Sequence, residues 1–247
     1  MNATSRLSAP RFHVGPGLSV GAELALPPRA ARHVAVLRLR PGDEVILFDG
    51  SGGEYACTLS RFVKGEARVL VAAKRDIERE SALDITLAQG LSSADRMDYA
   101  LQKATELGVG RIQPVATERS VVRLAEERAE RKLLHWRNVV IAACEQCGRN
   151  RVPEVAATMT LAEFLSAEHG GDLALLLVPE AERRLRDLEP ARRIVILIGP
   201  EGGFSKPERA AVERAGFTPV RLGPRVLRTE TAPLAAISAL QAMWGDG

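Results

Sequence analysis

The sequence predicts a two-part α/β chain, a small barrel of short strands followed by a larger domain in which strands and helices alternate. Three observations carry this expectation. Residues 11 to about 75 hold short aliphatic and β-branched runs separated by Pro41-Gly42-Asp43, Asp49-Gly-Ser-Gly-Gly53 and Lys64-Gly65, the pattern of strands joined by tight turns. After a charged stretch at residues 74–80, the pattern changes to strand, helix, strand. Further on, the aliphatic run Ile194-Val-Ile-Leu-Ile198 leads straight into Gly199-Pro-Glu-Gly-Gly-Phe-Ser205. An uninterrupted aliphatic run of this length reads as a strand buried on both faces of a parallel sheet. The expected boundaries are a first domain at residues 1–75, a linker at 76–82 and a second domain at 83–247.

In the first domain, residues 29–37 place His33, Val34 and Leu37 at helical spacing, and residues 44–48, 54–60 and 67–72 read as strands. In the second, residues 85–91 form an apolar strand ending in Gly90-Leu-Ser-Ser93. Residues 95–107 form an amphipathic helix stopped by Gly108, and residues 111–116 form the next strand. A long helix from 126 to about 147 carries Leu133, Trp136, Val140 and Ala143 on its apolar side. Segments at 161–168, 173–178, 194–198, 207–215, 220–222 and 232–244 complete the alternation. Ser205-Lys-Pro-Glu208 fits a capping box, with Pro207 in the first turn.

Composition narrows the function classes. The 247 residues carry a formal charge of +3, and residues 1–80 hold 12 Lys/Arg against 9 Asp/Glu, so the 22 and 22 that remain cancel. The basic excess lies in the amino-terminal third, which suits an RNA-handling surface and is equally ordinary for a solvated protein. Arg6, Arg11, Arg32, Arg38, Arg40 and Arg61 could line an RNA track or simply face water. Residues 1–10 lack the apolar core of a signal peptide, no run reaches membrane-spanning length, and 3 cysteines do not make a disulfide scaffold. A cytoplasmic protein is expected, with no membrane partner.

Glycine loops after strands are where α/β proteins bind ligands, but the usual nucleotide fingerprints fail at this one. The dinucleotide pattern needs Gly where Glu201 stands, and the phosphate-binding loop needs Gly-Lys-Ser/Thr where Gly-Phe-Ser-Lys is found. A nucleotide-dependent oxidoreductase is therefore disfavoured. Cys144-Glu-Gln-Cys147 is a single pair in a helix, and His13, His33, His135 and His169 are scattered, so no metal site is expected. No Gly-x-Ser-x-Gly elbow suggests acyl transfer. Glu145 and Arg149, four apart on the expected helix, share a face either as a surface ion pair or beside a substrate. A second glycine loop lies downstream, Val220-Arg-Leu-Gly-Pro-Arg-Val-Leu-Arg-Thr-Glu-Thr-Ala-Pro233, again a short strand, a Gly-Pro turn and a helix start.

Taken together, Leu197-Ile-Gly-Pro-Glu-Gly-Gly-Phe-Ser205 and Leu222-Gly-Pro-Arg-Val-Leu-Arg-Thr-Glu-Thr-Ala232 resemble the RsmE family of uridine-N3 methyltransferases of small-subunit ribosomal RNA. The resemblance extends through Gln102-Lys-Ala-Thr-Glu-Leu-Gly-Val109, Glu118-Arg-Ser120 and Ala142-Ala-Cys-Glu-Gln-Cys-Gly-Arg-Asn-Arg-Val-Pro153. It reaches Arg38-Leu-Arg-Pro-Gly-Asp43 and Leu47-Phe-Asp-Gly50, and so covers nearly the whole chain. It implies a PUA-like β-barrel before a SPOUT domain, a homodimer, and a trefoil knot that pattern alone would not suggest, since knotted chains are rare. It also implies S-adenosyl-L-methionine as cofactor and 16S ribosomal RNA or the small subunit as partner.

By the same resemblance, the cofactor lies among the loops after Val178, Leu197 and Leu222, with Gly199, Glu201, Gly203, Leu222, Gly223, Leu227 and Arg228 as its contacts. Substrate RNA is assigned to Arg11, Arg38, Arg119, Glu145, Gln146 and Arg149. Methylating a uracil N3 requires losing the imide proton and stabilising the resulting charge on O2 and O4. Glu230 is the candidate proton acceptor and Arg228 the candidate for holding the uracil oxygens or a phosphate. An acidic residue entering a helix can also serve only as a dipole partner. Alternatives to this activity are a related methyltransferase acting on another RNA, or a non-catalytic RNA-binding protein.

Overall fold

The computed structural model describes residues 9–120, 126–168 and 170–247. The chain divides into two compact units, residues 1–80 with 144–152 and residues 81–143 with 153–247. Residues 144–152, expected from the sequence in the second domain, thus belong with the first unit.

The first unit is a five-stranded sheet in the order β1-β3-β4-β5-β2. Its strands are β1 (Arg11–His13), β2 (Glu23–Ala25), β3 (Glu44–Phe48), β4 (Glu54–Val63) and β5 (Glu66–Arg75), with helix α1 (Pro28–Val36). β1 runs parallel to β3, and the other pairs are antiparallel. Register shifts in β4 between Ala56 and Cys57 and between Leu59 and Arg61 bend the ladder around one core of Phe12, Val34, Leu47, Leu59 and Val69. The turns are built as the sequence suggests: Gly42, Gly50 and Gly65 have positive φ, where an L side chain would be strained. β1 and β2 have only three residues each, too few to show a period, and were not expected.

The second unit holds a parallel sheet in the order β12-β10-β11-β6-β7-β8, with β9 also on β7. The strands are β6 (Asp84–Gly90), β7 (Arg111–Ala116), β8 (Glu154–Val155), β9 (Met159–Thr160), β10 (Leu173–Leu177), β11 (Arg193–Ile198) and β12 (Thr218–Val220). The helices are α2 (Ala94–Glu106), α3 (Glu126–Cys147), α4 (Leu161–Ser166), α5 (Lys206–Arg214) and α6 (Thr231–Trp244). As the aliphatic run predicts, β11 is central, paired with β10 on one side and β6 on the other, and Ile194 to Ile198 are all at most 3% exposed. The capping box at α5 is present, with Ser205 accepting from the Glu208 amide and Glu208 accepting from the Ser205 amide.

Candidate cofactor site

The parallel neighbours β12, β10 and β11 all end at one edge of the sheet, and the loops that follow them converge there. In open α/β sheets ligands bind beyond the carboxyl ends of the strands. Here the loops enclose a cavity of about 720 Å³, whose apolar wall includes Val178, Ile198, Leu222 and Leu227.

The first loop is shaped by what cannot be there. A Cβ on Gly90, at the end of β6, would lie 2.6 Å from the Pro200 nitrogen, so β6 passes against the turn only because that residue is glycine. A Cβ on Gly199 would meet the Phe204 ring at 3.1 Å, and one on Gly202 would meet Arg119 Cβ at the same distance. Gly203 donates to the Pro200 carbonyl at 2.9 Å and has φ +65°, with open space around it. Backbone here can approach a ligand unshielded.

Glu201 anchors this loop to α2. Its Oε1 accepts from the Ser93 amide at 3.0 Å and from Arg96 Nη1 at 3.0 Å. Burial pushes the carboxyl up, but hydrogen bonds from the Ser93 amide, its own amide, the Ser93 hydroxyl and Arg96 together more than offset it and hold Glu201 below the usual 4.5. Its Oε2 is buried without a hydrogen-bond partner among the described residues.

A buried bridge ties the second loop to the first. The Thr229 hydroxyl donates to the Gly199 carbonyl at 2.6 Å and accepts from Gln89 Nε2 at 3.0 Å. The next residue, Glu230, is the N-cap of α6 but has helical dihedrals, φ −80° and ψ −22°, and makes no capping hydrogen bond. Its side chain is only 13% exposed, with Arg96 Nε 3.7 Å from Oε2 and Arg228 Nη1 4.0 Å from Oε1. Oε2 has no hydrogen-bond partner among the described residues. Arg96 therefore stands between two carboxylates, one from each loop.

An RNA methyltransferase domain family matches residues 79–241, and an RNA methyltransferase PUA domain family matches residues 26–70. The ribosomal RNA small subunit methyltransferase E of Buchnera aphidicola is 31% identical over 239 residues, covering 96% of this chain and 97% of its own. The Bacillus subtilis protein of the same name is 33% identical over 217 residues, 84% of each chain. The chain belongs to the ribosomal RNA small subunit methyltransferase E family. The Neisseria gonorrhoeae member, solved bound to S-adenosyl methionine, superposes with a TM-score of 0.90 at 44% identity over 96% of this chain and 99% of that one. A Legionella pneumophila structure described as a methyltransferase with the cofactor SAM bound gives 0.92 at 40% identity, over 97% and 99%. The fold is thus a SPOUT-type α/β methyltransferase domain preceded by a PUA-like domain.

Against this family background, the residues expected at the cofactor site are distributed unevenly. Val178, Gly199, Glu201, Gly203, Leu222, Leu227 and Arg228 line the cavity. Leu197 does not: it packs into a core with Val115, Phe164 and Leu176, because successive strand residues face opposite sides, and Ile198 takes the cavity side. Gly223 turns the second loop with φ +102° without lining the cavity. Glu230 lies at the edge, touching the lining residues Arg96 and Arg228 rather than lining the space itself. The fit to the family's cofactor is good. Apolar surface is available for an adenine, unshielded backbone for its edges, and an unpartnered Glu201 Oε2 for a hydroxyl.

The expected RNA residues also separate. Arg119 lines the cavity and donates to the Gly202 carbonyl at 3.0 Å, while Arg38 and Gln146 are exposed. Arg11 is 8% exposed, pairs with Glu54 at 2.6 Å and donates to Asn150 Oδ1 at 2.5 Å, and Arg149 is 4% exposed and paired with Glu80. These two guanidinium groups are spent on internal carboxylates, which corrects the expectation that they face RNA. Glu145 and Arg149 do not pair either. The helix ends at Cys147, Gly148 turns away with φ +91°, and Glu145 instead accepts from the His13 amide and from Arg29, each at 3.0 Å. Cys144 is fully buried, and burial pushes its thiol up to about 12, as befits a packing residue.

Sequence reasoning missed Gln89, Gly90, Arg96 and Thr229. Two of them carried a signal. Gln89 is a lone amide in an apolar strand and is 0% exposed, and Arg96 is a cation in the first turn of α2, where the helix dipole disfavours it.

Proposed function

We propose that this protein methylates N3 of a uridine in 16S ribosomal RNA with S-adenosylmethionine as donor. One observation carries the reading: the two glycine loops form a single cavity, in a fold that two relatives share over nearly their full length with that cofactor bound. Bound there, S-adenosylmethionine supplies an electrophilic methyl group on a sulfonium. Backbone at Gly199 and Gly203 and the side chains of Val178, Leu222 and Leu227 would hold it, and the Glu201 carboxylate would accept a hydrogen bond from one of its hydroxyls.

The chain's own contribution to reactivity is to prepare the nitrogen. The Glu230 carboxylate, at the edge of the cavity, takes the N3 proton, and Arg228, 78% exposed at the mouth of the cavity, stabilises the negative charge that spreads to the uracil oxygens. Arg96 sets a compensating positive charge beside the Glu230 carboxylate. That this carboxylate makes no cap bond favours the role of base over a capping one.

The proposal extends to the assembly: a cytoplasmic homodimer without a metal, its amino-terminal domain of residues 1–75 contributing RNA affinity through exposed side chains such as Arg38. No described helix is long and apolar enough to cross a membrane. The test is calorimetry with S-adenosylmethionine, followed by mass mapping of small-subunit ribosomal RNA from cells with and without the protein. Absence of cofactor binding, or identical methylation maps, would overturn the reading.

A further inference from the structure

The second unit is not basic. Of the 22 Lys/Arg and 22 Asp/Glu after residue 80, Arg149, Arg151 and Glu145 belong to the first unit, which leaves 20 cations against 21 anions in the second. Yet the cavity wall is strongly basic, with 7 Lys/Arg against Glu180 and Glu201. Some of these cations are neutralised. Arg209 pairs with Glu180 and Glu213, and Arg96 with Glu201 and Glu230. Arg119, Lys206, Arg221 and Arg225 have no carboxylate at salt-bridge distance among the described residues, and the nearest to Arg228 is Glu230 at 4.0 Å. Of these, Arg119, Lys206, Arg225 and Arg228 are exposed.

The cofactor does not explain this excess. S-adenosylmethionine carries a sulfonium and an ammonium against one carboxylate, so it is itself a net cation, and a surplus of positive charge around it would oppose its binding. A near-neutral unit that gathers unpaired cations at the mouth of a cavity for a cationic cofactor is matched to something else that must enter there and is strongly anionic.

We infer that the rim formed by Arg119, Lys206, Arg225 and Arg228 is a phosphate-binding surface for single-stranded RNA, which tracks the backbone on either side of the nucleotide entering the cavity. This deepens, and rests on, the proposed methylation of RNA. It moves part of the RNA grip from the amino-terminal excess of charge to the second unit. Fixed phosphates on both sides would orient the target base without reading its sequence.

The test is RNA binding by the full-length protein across a salt series. A single-stranded ribosomal RNA fragment is used with the wild type, with the double variant Lys206→Gln/Arg225→Gln, and with Arg192→Gln. Arg192 is an exposed cation just before β11, at the opposite end of the strands from the cavity. Removing one cation from a phosphate should flatten the plot of log affinity against log salt by about 0.7, so the double variant should flatten it by about 1.4, and Arg192→Gln should change it little. S-adenosylmethionine affinity should stay at the wild-type value or rise. An unchanged salt slope in the double variant would overturn the inference. So would a fall in cofactor affinity with RNA binding intact, which would assign these cations to the cofactor carboxylate. Failure of the methylation reading is separate, because it appears in the wild type as absent cofactor binding or absent methyl transfer whatever the salt slope.

Discussion

The Thr229 hydroxyl donates to the Gly199 carbonyl at 2.6 Å, so the two glycine loops are joined by one hydrogen bond in a buried setting. Gln89 completes the link from β6. Thr229→Val keeps the shape but leaves the Gly199 carbonyl without its hydroxyl donor and Gln89 Nε2 with only its bond to the Gly90 carbonyl at 3.3 Å, at a cost of about 1–3 kcal/mol. Unfolding should show that loss and calorimetry a weaker cofactor affinity, and Thr229→Ser should restore most of both.

Glu230→Gln retains size and hydrogen bonding but not basicity. Single-turnover methylation should fall about 10²-fold or more at unchanged cofactor affinity. A wild-type rate across neutral pH would remove Glu230 from the role of base. Arg228→Ala should lower RNA affinity as well as rate.

Glu201 gives the site a defined acid sensitivity. Its folded carboxyl lies below the ordinary 4.5, so its stabilising contribution is complete above that value and is lost as pH falls further, through the folded value. Thermal melts should therefore show the wild type losing stability below about pH 4.5 more steeply than Glu201→Gln. Parallel acid limbs would show that the contacts to Ser93 and Arg96 carry no such linkage.

Arg11→Ala should behave as a core lesion. Glu54 is 2% exposed and would lose its 2.6 Å partner while keeping Arg79 at 3.2 Å, so stability should fall by about 1–3 kcal/mol, the cost of one broken charge-assisted hydrogen bond. Urea unfolding measures this directly. A variant of wild-type stability with reduced RNA affinity would return Arg11 to the RNA surface.

Gly203→Val forces a β-branched residue to φ +65° in a place without steric crowding, so its cost is backbone strain of about 1–3 kcal/mol. Cofactor binding should be abolished while unfolding stays cooperative. Full affinity in the variant would show that the backbone at 203 does not approach the ligand.

What was legible in the sequence were the features that depend on neighbours along the chain. Ile194 to Ile198 announced a strand buried on both faces, Ser205 and Glu208 a capped helix, and Gly203 and Gly223 tight turns with positive φ. Local propensity and hydrophobic period act over a few residues, so they can be read in order. Tertiary structure alone decided which side chains share a space. It put Thr229 against Gly199 thirty residues away and Arg96 between Glu201 and Glu230. It committed Arg11 and Arg149 to Glu54 and Glu80, and it gathered cations from four segments at one cavity in a unit whose charges nearly cancel. The physical reason is that burial and pairing depend on distance in space. An arginine reads the same in sequence whether its charge meets water, a carboxylate inside the fold or a phosphate outside it.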